Sequence, residues 1–171
     1  MSGVSGGSGV SGASGASAEQ RLAELGITLP AVPTPAGAYV PAVVTGSYVY
    51  TAGQLPFVDG ELPARGKVGS TAVGLVAPDD AKGLARLAAI NALAAARSVL
   101  GSLDRVTRVV KVVGFVASDP GFTGQPGVIN GASELLGEVF GDIGAHARSA
   151  VGVAVLPMDS PVEVELTLEF R

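Results

Sequence analysis

The chain contains no cysteine, and this absence excludes several kinds of site at once. Without a thiol there can be no disulfide, no cysteine nucleophile and no cysteine ligand for a metal ion. The single histidine, His146, likewise excludes a metal cluster built from several histidines. Tryptophan is absent and aromatic residues make up only 5% of the chain, so there is no aromatic stripe on which nucleic-acid bases could stack.

Positive charge is also scarce. Eleven Lys and Arg residues stand against fifteen Asp and Glu residues, which gives a net charge of −4 and argues against a broad phosphate-binding surface. No apolar run approaches the roughly 18 residues of a membrane span, and the N-terminus lacks the basic start and apolar stretch of a secretory signal. We therefore expect no nucleic-acid partner, no membrane partner and a cytoplasmic location.

The composition that is present indicates one folded domain. The chain has 171 residues, of which 47% are hydrophobic, enough for a sizeable core. Gly and Ser fill 12 of the positions in 1–18, which predicts a disordered tail. Residues 19–36 read as a short helix ending near Gly26 and a proline-rich connection, which leaves 37–171 for the main domain.

Alternating and helical periodicities predict the elements of this domain. We expect a pair of strands, a long helix, a strand, a second helix and two final strands, in the ranges 42–45, 47–52, 78–103, 105–117, 126–141, 149–156 and 161–170. The segment 61–77 reads as a loop with short strand pieces. This order predicts an α+β domain in which one sheet is backed by two helices. The other face of the sheet needs a cover, which a subunit interface would provide.

Arg148 stands at the head of an apolar strand whose later valines, Val151, Val153 and Val155, are expected to be buried. A guanidinium at such a place offers a rigid fork of donors that can grip a carboxylate with two hydrogen bonds. An ion pair with a neighbouring acidic side chain explains it equally well. The local sequence leaves both interpretations open.

Glu163 and Glu165 alternate with apolar residues in the last strand. Both could be solvated positions on an edge strand, which is the commoner case. Alternatively, one could lie on a face covered by a neighbouring subunit, where a raised pKa would let it handle protons. The alternation does not choose between these.

Three further polar residues stand out, and for each of them the sequence favours a plain structural role. His146 could be a general base, but no partner is apparent, so a solvent-facing loop histidine is expected. Asn130 is expected to bond its own surroundings rather than a ligand, and Tyr39 to pack as an amphipathic core residue rather than to close a pocket. The chain has no phosphate-binding glycine motif and no G-x-S-x-G nucleophile elbow.

Taken together, several segments resemble the reactive intermediate deaminase family, the Rid or YjgF-type proteins, once described as endoribonucleases or translation inhibitors. The aromatic-T-x-G-Q-x-P strand and the A-R-S-x-V-x-V-x-x-L-P stretch, followed closely by V-E-V-E, are the most specific parts. The resemblance extends from about residue 35 to the C-terminus. The matching pieces are Gly37–Pro41, Val49–Pro56, Asn130, Ala147–Pro157 and Val162–Glu165.

The resemblance implies a chorismate-mutase-like fold of order β-β-α-β-α-β-β, assembled as a homotrimer with a central barrel of sheets and a pocket between each pair of neighbours. It implies an enzyme that needs no cofactor. The reaction would be the hydrolysis of reactive enamines and imines, such as 2-aminoacrylate and 2-iminobutanoate, to 2-keto acids and ammonia. The implied ligand is a small 2-imino or 2-keto acid.

Site residues follow from the same resemblance, position by position. Arg148 matches the arginine that anchors the substrate carboxylate, and Glu163 matches the glutamate that positions or activates water, with Glu165 as the alternative. The resemblance also implies three further pocket residues. These are Tyr39 before the first strand, Gly53 after the second strand and Asn130 on the second long helix.

Three departures place the chain in a divergent subgroup. Ala52 and Ala150 stand where many members carry a pocket serine and a cysteine, and the segment 61–77 is longer than the usual compact turn. Loss of the hydroxyl removes a hydrogen bond to the imine nitrogen or to water. A second hypothesis is therefore a non-catalytic regulatory trimer that binds small carboxylates. A third, ribonuclease activity, is disfavoured by the net charge.

Overall fold

A five-stranded sheet with two long helices on one face forms the fold, in a computed structural model that describes residues 15–32, 37–70 and 73–171. Most of the expected disordered tail lies outside the described residues. The elements are α1 (Ala18–Glu24), β1 (Ala42–Thr45), β2 (Tyr48–Thr51), α2 (Pro78–Leu100), β3 (Val106–Ala117), α3 (Gln125–Phe140), β4 (Ala147–Val153) and β5 (Val162–Phe170). Short 3-10 turns lie at Leu103–Arg105, Gly141–Gly144 and Pro157–Asp159. The predicted α+β order is confirmed.

The strands lie in the order β1-β2-β5-β3-β4, so the last strand of the chain is the central strand of the sheet. Only β3 and β4 run parallel, and the remaining neighbours are antiparallel. The suggestion that Glu163 and Glu165 lie on an edge strand is therefore wrong, because β5 is hydrogen-bonded to β2 on one side and to β3 on the other.

The helix-covered face of the sheet holds the core. On β5 every second side chain points into it: Val162, Val164, Leu166 and Leu168 are almost fully buried, as the strict alternation predicts. The helices α2 and α3 close this face with alanine, leucine and isoleucine side chains. This burial supplies most of the hydrophobic stabilisation of the chain.

The helix α2 begins with a proline and two acidic residues, which suit the positive end of a helix dipole, and ends at Gly101 with φ of 81°. By length and composition it is the one helix, within the described ranges, that could cross a membrane, although more than half of its apolar stretch is buried inside the fold. It contacts α3 closely at Gly131, where the two backbones leave no room for a side chain.

The opposite, open face of the sheet is uncovered in the single chain. Tyr48 and Tyr50 of β2 are 38% and 43% exposed there. Val151 of β4 is 45% exposed, and Val155, beyond the end of that strand, is 68% exposed, so the expectation that these valines are buried is wrong for one chain. The physical reason is that β4 is an edge strand, and no element of the described ranges packs on its open face.

The segment 61–77 is a loop with isolated strand bridges in its described part, as predicted; residues 71 and 72 lie outside it. Val68 bridges both Val76 and Ser118, so the loop returns on itself beside the end of β3. The amide of Gly66 donates to the carbonyl of Asp159 (2.8 Å), which ties the loop to the turn between β4 and β5.

Candidate functional site

Arg148 is the second residue of β4 and points to the helix-covered face, because it lies in register with the buried Val112. Its Nη1 donates to Asn130 Oδ1 (2.8 Å) and to Ser133 Oγ (3.1 Å), both on α3. No carboxylate of the described residues lies within ion-pair distance of this guanidinium, and the ion pairs that form involve Lys82, Arg86 and Arg97 instead. Of the two interpretations that the sequence left open, the ion pair is not observed.

His146 has two partners, so the expectation of a solvent-facing histidine without a partner is wrong. The ring is half-buried; its Nε2 lies 3.0 Å from Ser133 Oγ and its Nδ1 lies 2.6 Å from the carbonyl oxygen of Gly144. Ser133 is the residue that sequence reasoning missed. A signal was available, since Asn130 and Ser133 are three residues apart on a helix and therefore share a face.

The residues Asn130, Ser133, His146 and Arg148 form one connected group, here named the arginine group. It combines the Arg148 guanidinium with hydrogen-bonding partners that carry no negative charge. The guanidinium charge is therefore not neutralised by a carboxylate of the described chain, and the half-buried setting strengthens its attraction for an anion. Such a group can hold a small carboxylate.

Glu163 lies on the opposite, open face of the sheet, in register with Phe115 of β3. Burial raises the pKa of its carboxyl above the ordinary value of 4.5, and the like charge of Glu165 raises that pKa further. Its proton is therefore released nearer to neutral pH than that of an ordinary glutamate. A carboxyl tuned in this direction is suited to accepting and returning a proton.

Gly53 lies directly against this carboxyl. A Cβ at position 53 would come within 1.7 Å of Glu163 Oε1, so only glycine leaves room for the side chain as it lies. The two residues are held together by a backbone bridge between Gln54 and Val164, with N–O distances of 2.9 and 3.0 Å. Glu163 and Gly53 are here named the glutamate group.

The remaining predicted site residues are dispersed around these two groups. Ala52 is half-buried beside Gly53, and its amide donates to the carbonyl of Pro41 (2.8 Å). Ala150 is half-buried on the same face of β4 as Arg148, because it pairs with Gly114. Tyr39 is 58% exposed before β1, so the expectation that it packs into the core is wrong for this chain.

One chain does not bring the arginine group and the glutamate group together. They lie on opposite faces of the sheet, and β3 separates β4 from β5. Two strand spacings alone amount to about 10 Å. A complete pocket containing both groups therefore requires residues from more than one copy of the chain.

A cavity of about 350 Å³ lies elsewhere, between α2 and the chain that follows β2, and contains neither group. Its wall includes Asn91, whose Nδ2 donates to the carbonyls of Leu55 (2.8 Å) and Phe57 (3.1 Å) and so holds that connection in place. Among the described residues, no three His, Cys, Asp or Glu side chains gather in a way that could hold a metal ion.

Comparison with known proteins agrees with this architecture. Residues 19–170 match the family model described as "YjgF/chorismate mutase-like, putative endoribonuclease". The chain is 43% identical over 151 residues to Protein TCP17 of Trypanosoma cruzi, covering 88% of this chain and 92% of that protein.

Solved structures show the same fold. The Agrobacterium tumefaciens protein Atu1372, of unknown function, is 41% identical, with a TM-score of 0.80 over 90% of this chain and 93% of that one. Escherichia coli TdcF, solved with bound serine, is 28% identical, with a TM-score of 0.58 over 84% and 96% of the two chains. The chain therefore belongs to the YjgF or Rid-like family, with its chorismate-mutase-like fold.

Proposed function

We propose that this protein hydrolyses reactive enamine and imine intermediates, of the 2-aminoacrylate and 2-iminobutanoate type, to 2-keto acids and ammonia. The observation that carries the proposal is the guanidinium of Arg148, which is held by neutral partners and keeps its charge for a small carboxylate. The bound serine of TdcF supports it, because serine is a small amino acid with such a carboxylate. Family membership supports the same reaction class.

The reaction requires that the substrate is held in a fixed position and that one carboxylate relays a proton. With the carboxylate held by Arg148, water adds to the imine carbon: a C–O bond forms, and the water proton passes through the Glu163 carboxylate to the imine nitrogen. The resulting carbinolamine then loses its hydroxyl proton to the leaving amine as the C–N bond breaks, which yields the 2-keto acid and ammonia. The raised pKa of Glu163 suits this transfer in both directions. An enamine enters the same sequence by tautomerisation, in which its terminal carbon gains a proton and its nitrogen loses one.

A homotrimer would complete the site. The closed cyclic arrangement covers the open sheet face of each copy with the next, and it brings the glutamate group of one copy to the arginine group of its neighbour. The exposed apolar side chains of that face, including Tyr50 and Val151, support the proposal, because burying them on assembly is favourable. Tyr39, Ala52 and Ala150 would then line the shared pocket.

The test is ammonia release when a dehydratase generates 2-iminobutanoate in the presence of the purified protein. Arg148→Ala should lower kcat/KM at least about 100-fold, because two hydrogen bonds to a charged group are lost. Arg86→Ala is the matched control, since Arg86 pairs with Glu138 on the outer surface (2.6 Å). Equal activity of Arg148→Ala and the wild type, with an unchanged molar mass, would refute the assigned role.

The alternative is a regulatory trimer that binds small carboxylates without turning them over. Ala52 and Ala150 favour it, because the family resemblance implies a hydroxyl and a thiol at these two positions and this chain has neither. In that case calorimetry would show pyruvate binding that depends on Arg148, while the ammonia assay would show no acceleration. The ribonuclease activity named in the family description is disfavoured by the net charge of −4.

A further inference from the structure

The hydrogen bonds of the arginine group run in one direction, which the chemistry of the end groups determines. The carbonyl of Gly144 can only accept, so His146 Nδ1 carries a hydrogen and donates it over 2.6 Å. In the neutral form of this ring, Nε2 is then an acceptor. Arg148 can only donate, so Ser133 Oγ accepts from Nη1 and turns its own hydrogen to His146 Nε2.

This direction determines which part of the guanidinium is free. Nη1 carries two hydrogens; one goes to Asn130 Oδ1 and the other to Ser133 Oγ. Within the described part of the chain nothing accepts a hydrogen bond from Nε or Nη2 of Arg148. These two donors form the side edge of the guanidinium, which matches the spacing of the two oxygens of a carboxylate.

We propose that Ser133 and His146 are positioning residues for Arg148. They fix Nη1 from the helix side, so that the guanidinium meets a carboxylate side-on, through Nε and Nη2. The inference rests on the proposed function and deepens it. It states which guanidinium nitrogens bind the carboxylate and which residues outside the family motif orient the guanidinium.

The network is anchored to the core rather than to a mobile surface. Gly144, whose carbonyl ends the network, is buried in the 3-10 turn after α3, and a Cβ there would lie 2.4 Å from the carbonyl oxygen of Leu136. Ser133 and Asn130 both project from α3, so the network is held by this helix and by the turn that packs against it.

The single histidine makes the network directly measurable. In protein labelled with ¹⁵N, the imidazole signals belong to His146 alone. In the neutral ring we expect Nδ1 to carry the hydrogen and Nε2 to carry none, and the Nε2 signal to shift in Ser133→Ala. A ring protonated on Nε2 instead would overturn the proposal, because Ser133 could not then donate to it. The assignment of the hydrogen to Nδ1 or Nε2 needs only wild-type protein.

The functional test compares pyruvate affinity by calorimetry with steady-state kinetics. Ser133→Ala and His146→Leu should each weaken pyruvate binding about three- to tenfold, the effect of one hydrogen bond. We expect KM to rise by the same factor with kcat within about twofold, because the carboxylate is held equally before and during the reaction. His146→Gln should restore most of the affinity, since its amide oxygen can accept from Ser133.

The control is Ser98→Ala, which removes a hydroxyl bonded to the carbonyl of Ala95 on α2, away from Arg148. It should bind pyruvate like the wild type. If Arg148→Ala loses binding while Ser133→Ala and His146→Leu bind normally, the positioning role is refuted and the proposed function stands. If Arg148→Ala itself binds pyruvate normally, the proposed function fails, and the inference fails with it.

Discussion

The two faces of the same sheet hold their site residues in opposite ways. On the helix-covered face, Arg148 is fixed by two hydrogen bonds to α3, within the folded chain. On the open face, Glu163 has a glycine beneath it and a like charge beside it, and its ionised form is disfavoured. The comparison teaches that folding alone fixes the half of the candidate site under the helices, whereas the other half lies on a face that the described chain leaves open.

The difference has a simple physical origin. A side chain packed beneath a helix can be satisfied by that helix, so its geometry is determined when the core forms. A side chain on an uncovered face has only its strand neighbours, so its environment changes when a second surface arrives. Substitutions in the packed core of the covered face should therefore act mainly on stability, and substitutions on the open face mainly on assembly and activity. The arginine group is the exception on the covered face, because we propose that its guanidinium binds the substrate.

The largest expected effect is on the covered face. Gly131→Ala would place a Cβ 1.9 Å from the backbone oxygen of Lys82, where α2 and α3 meet. Because backbone cannot move aside cheaply, we expect a loss of about 3 kcal/mol or more in the free energy of unfolding, measured in urea. Gly137→Ala, in the same helix but with open space around it, should instead gain about 0.5–1 kcal/mol. Equal stability of the two variants would contradict the proposed tight contact.

The next effect concerns the open face. Val151→Lys would place an ammonium on the surface that we propose to be buried in the trimer, which should cost roughly 3 kcal/mol of association per interface. Light scattering should then give a mass near 16.8 kDa instead of three times that value. Val99→Lys is the matched control, since Val99 on α2 is 41% exposed and Val151 is 45% exposed. If both variants stay trimeric, the open face is not the interface.

Gly53→Ala should separate activity from stability. The added methyl group meets the flexible end of the Glu163 side chain, which can move away, so we expect unfolding in urea to change by less than about 1 kcal/mol. The displaced carboxyl should lower kcat about tenfold in the ammonia assay. Gly121→Ala is the control: unlike Gly53, Gly121 has open space around it, so this variant should leave both stability and kcat unchanged. Full activity of Gly53→Ala would show that the observed position of Glu163 is not required.

The smallest effect is a pH dependence of stability. Because the pKa of Glu163 is raised in the folded chain, the native state holds this proton more tightly than the unfolded state. The resulting cost is absent below the ordinary pKa of 4.5 and is fully present once the pH exceeds the raised pKa. Glu163→Gln should therefore gain stability relative to the wild type as the pH rises from about 4 to about 8.

The measurement is the urea midpoint of both proteins across that range, at one protein concentration. Glu165→Gln serves as the second variant: it removes the like charge, so it should reduce the pH dependence without abolishing it, because burial is the larger cause. A gain for Glu163→Gln that shrinks with rising pH would have the wrong sign and would show that the pKa is not raised.

Much of the fold could be predicted from local patterns. The alternation in β5 and the apolar periodicity of α2 are strong signals, because buried positions recur along the sequence with the period of the strand and of the helix. The bounds of β4 were less well predicted, since the strand begins at Ala147 and ends at Val153. An edge strand with an uncovered face has only a weak burial pattern, so its ends are not marked in the sequence.

The candidate site was predictable only in part. Arg148 and Glu163 stand out in motifs, but Ser133 does not, because its contacts join α3 to His146 and Arg148, which lie thirteen and fifteen residues further along the chain. The close approach of Gly53 to the Glu163 carboxyl is likewise not marked in the sequence. Such contacts depend on how α3 packs on the sheet, which local periodicity does not specify.

By itself, the sequence determined the elements, the family and the exclusion of thiol and multi-histidine chemistry, because these follow from residue type and local spacing. The tertiary structure decided that β5 is central and that Arg148 and Glu163 lie on opposite faces of the sheet. It also decided that Arg148 bonds to neutral partners rather than to an acid. The physical reason is that strand order and helix packing are set by long-range burial, which joins residues far apart in the chain.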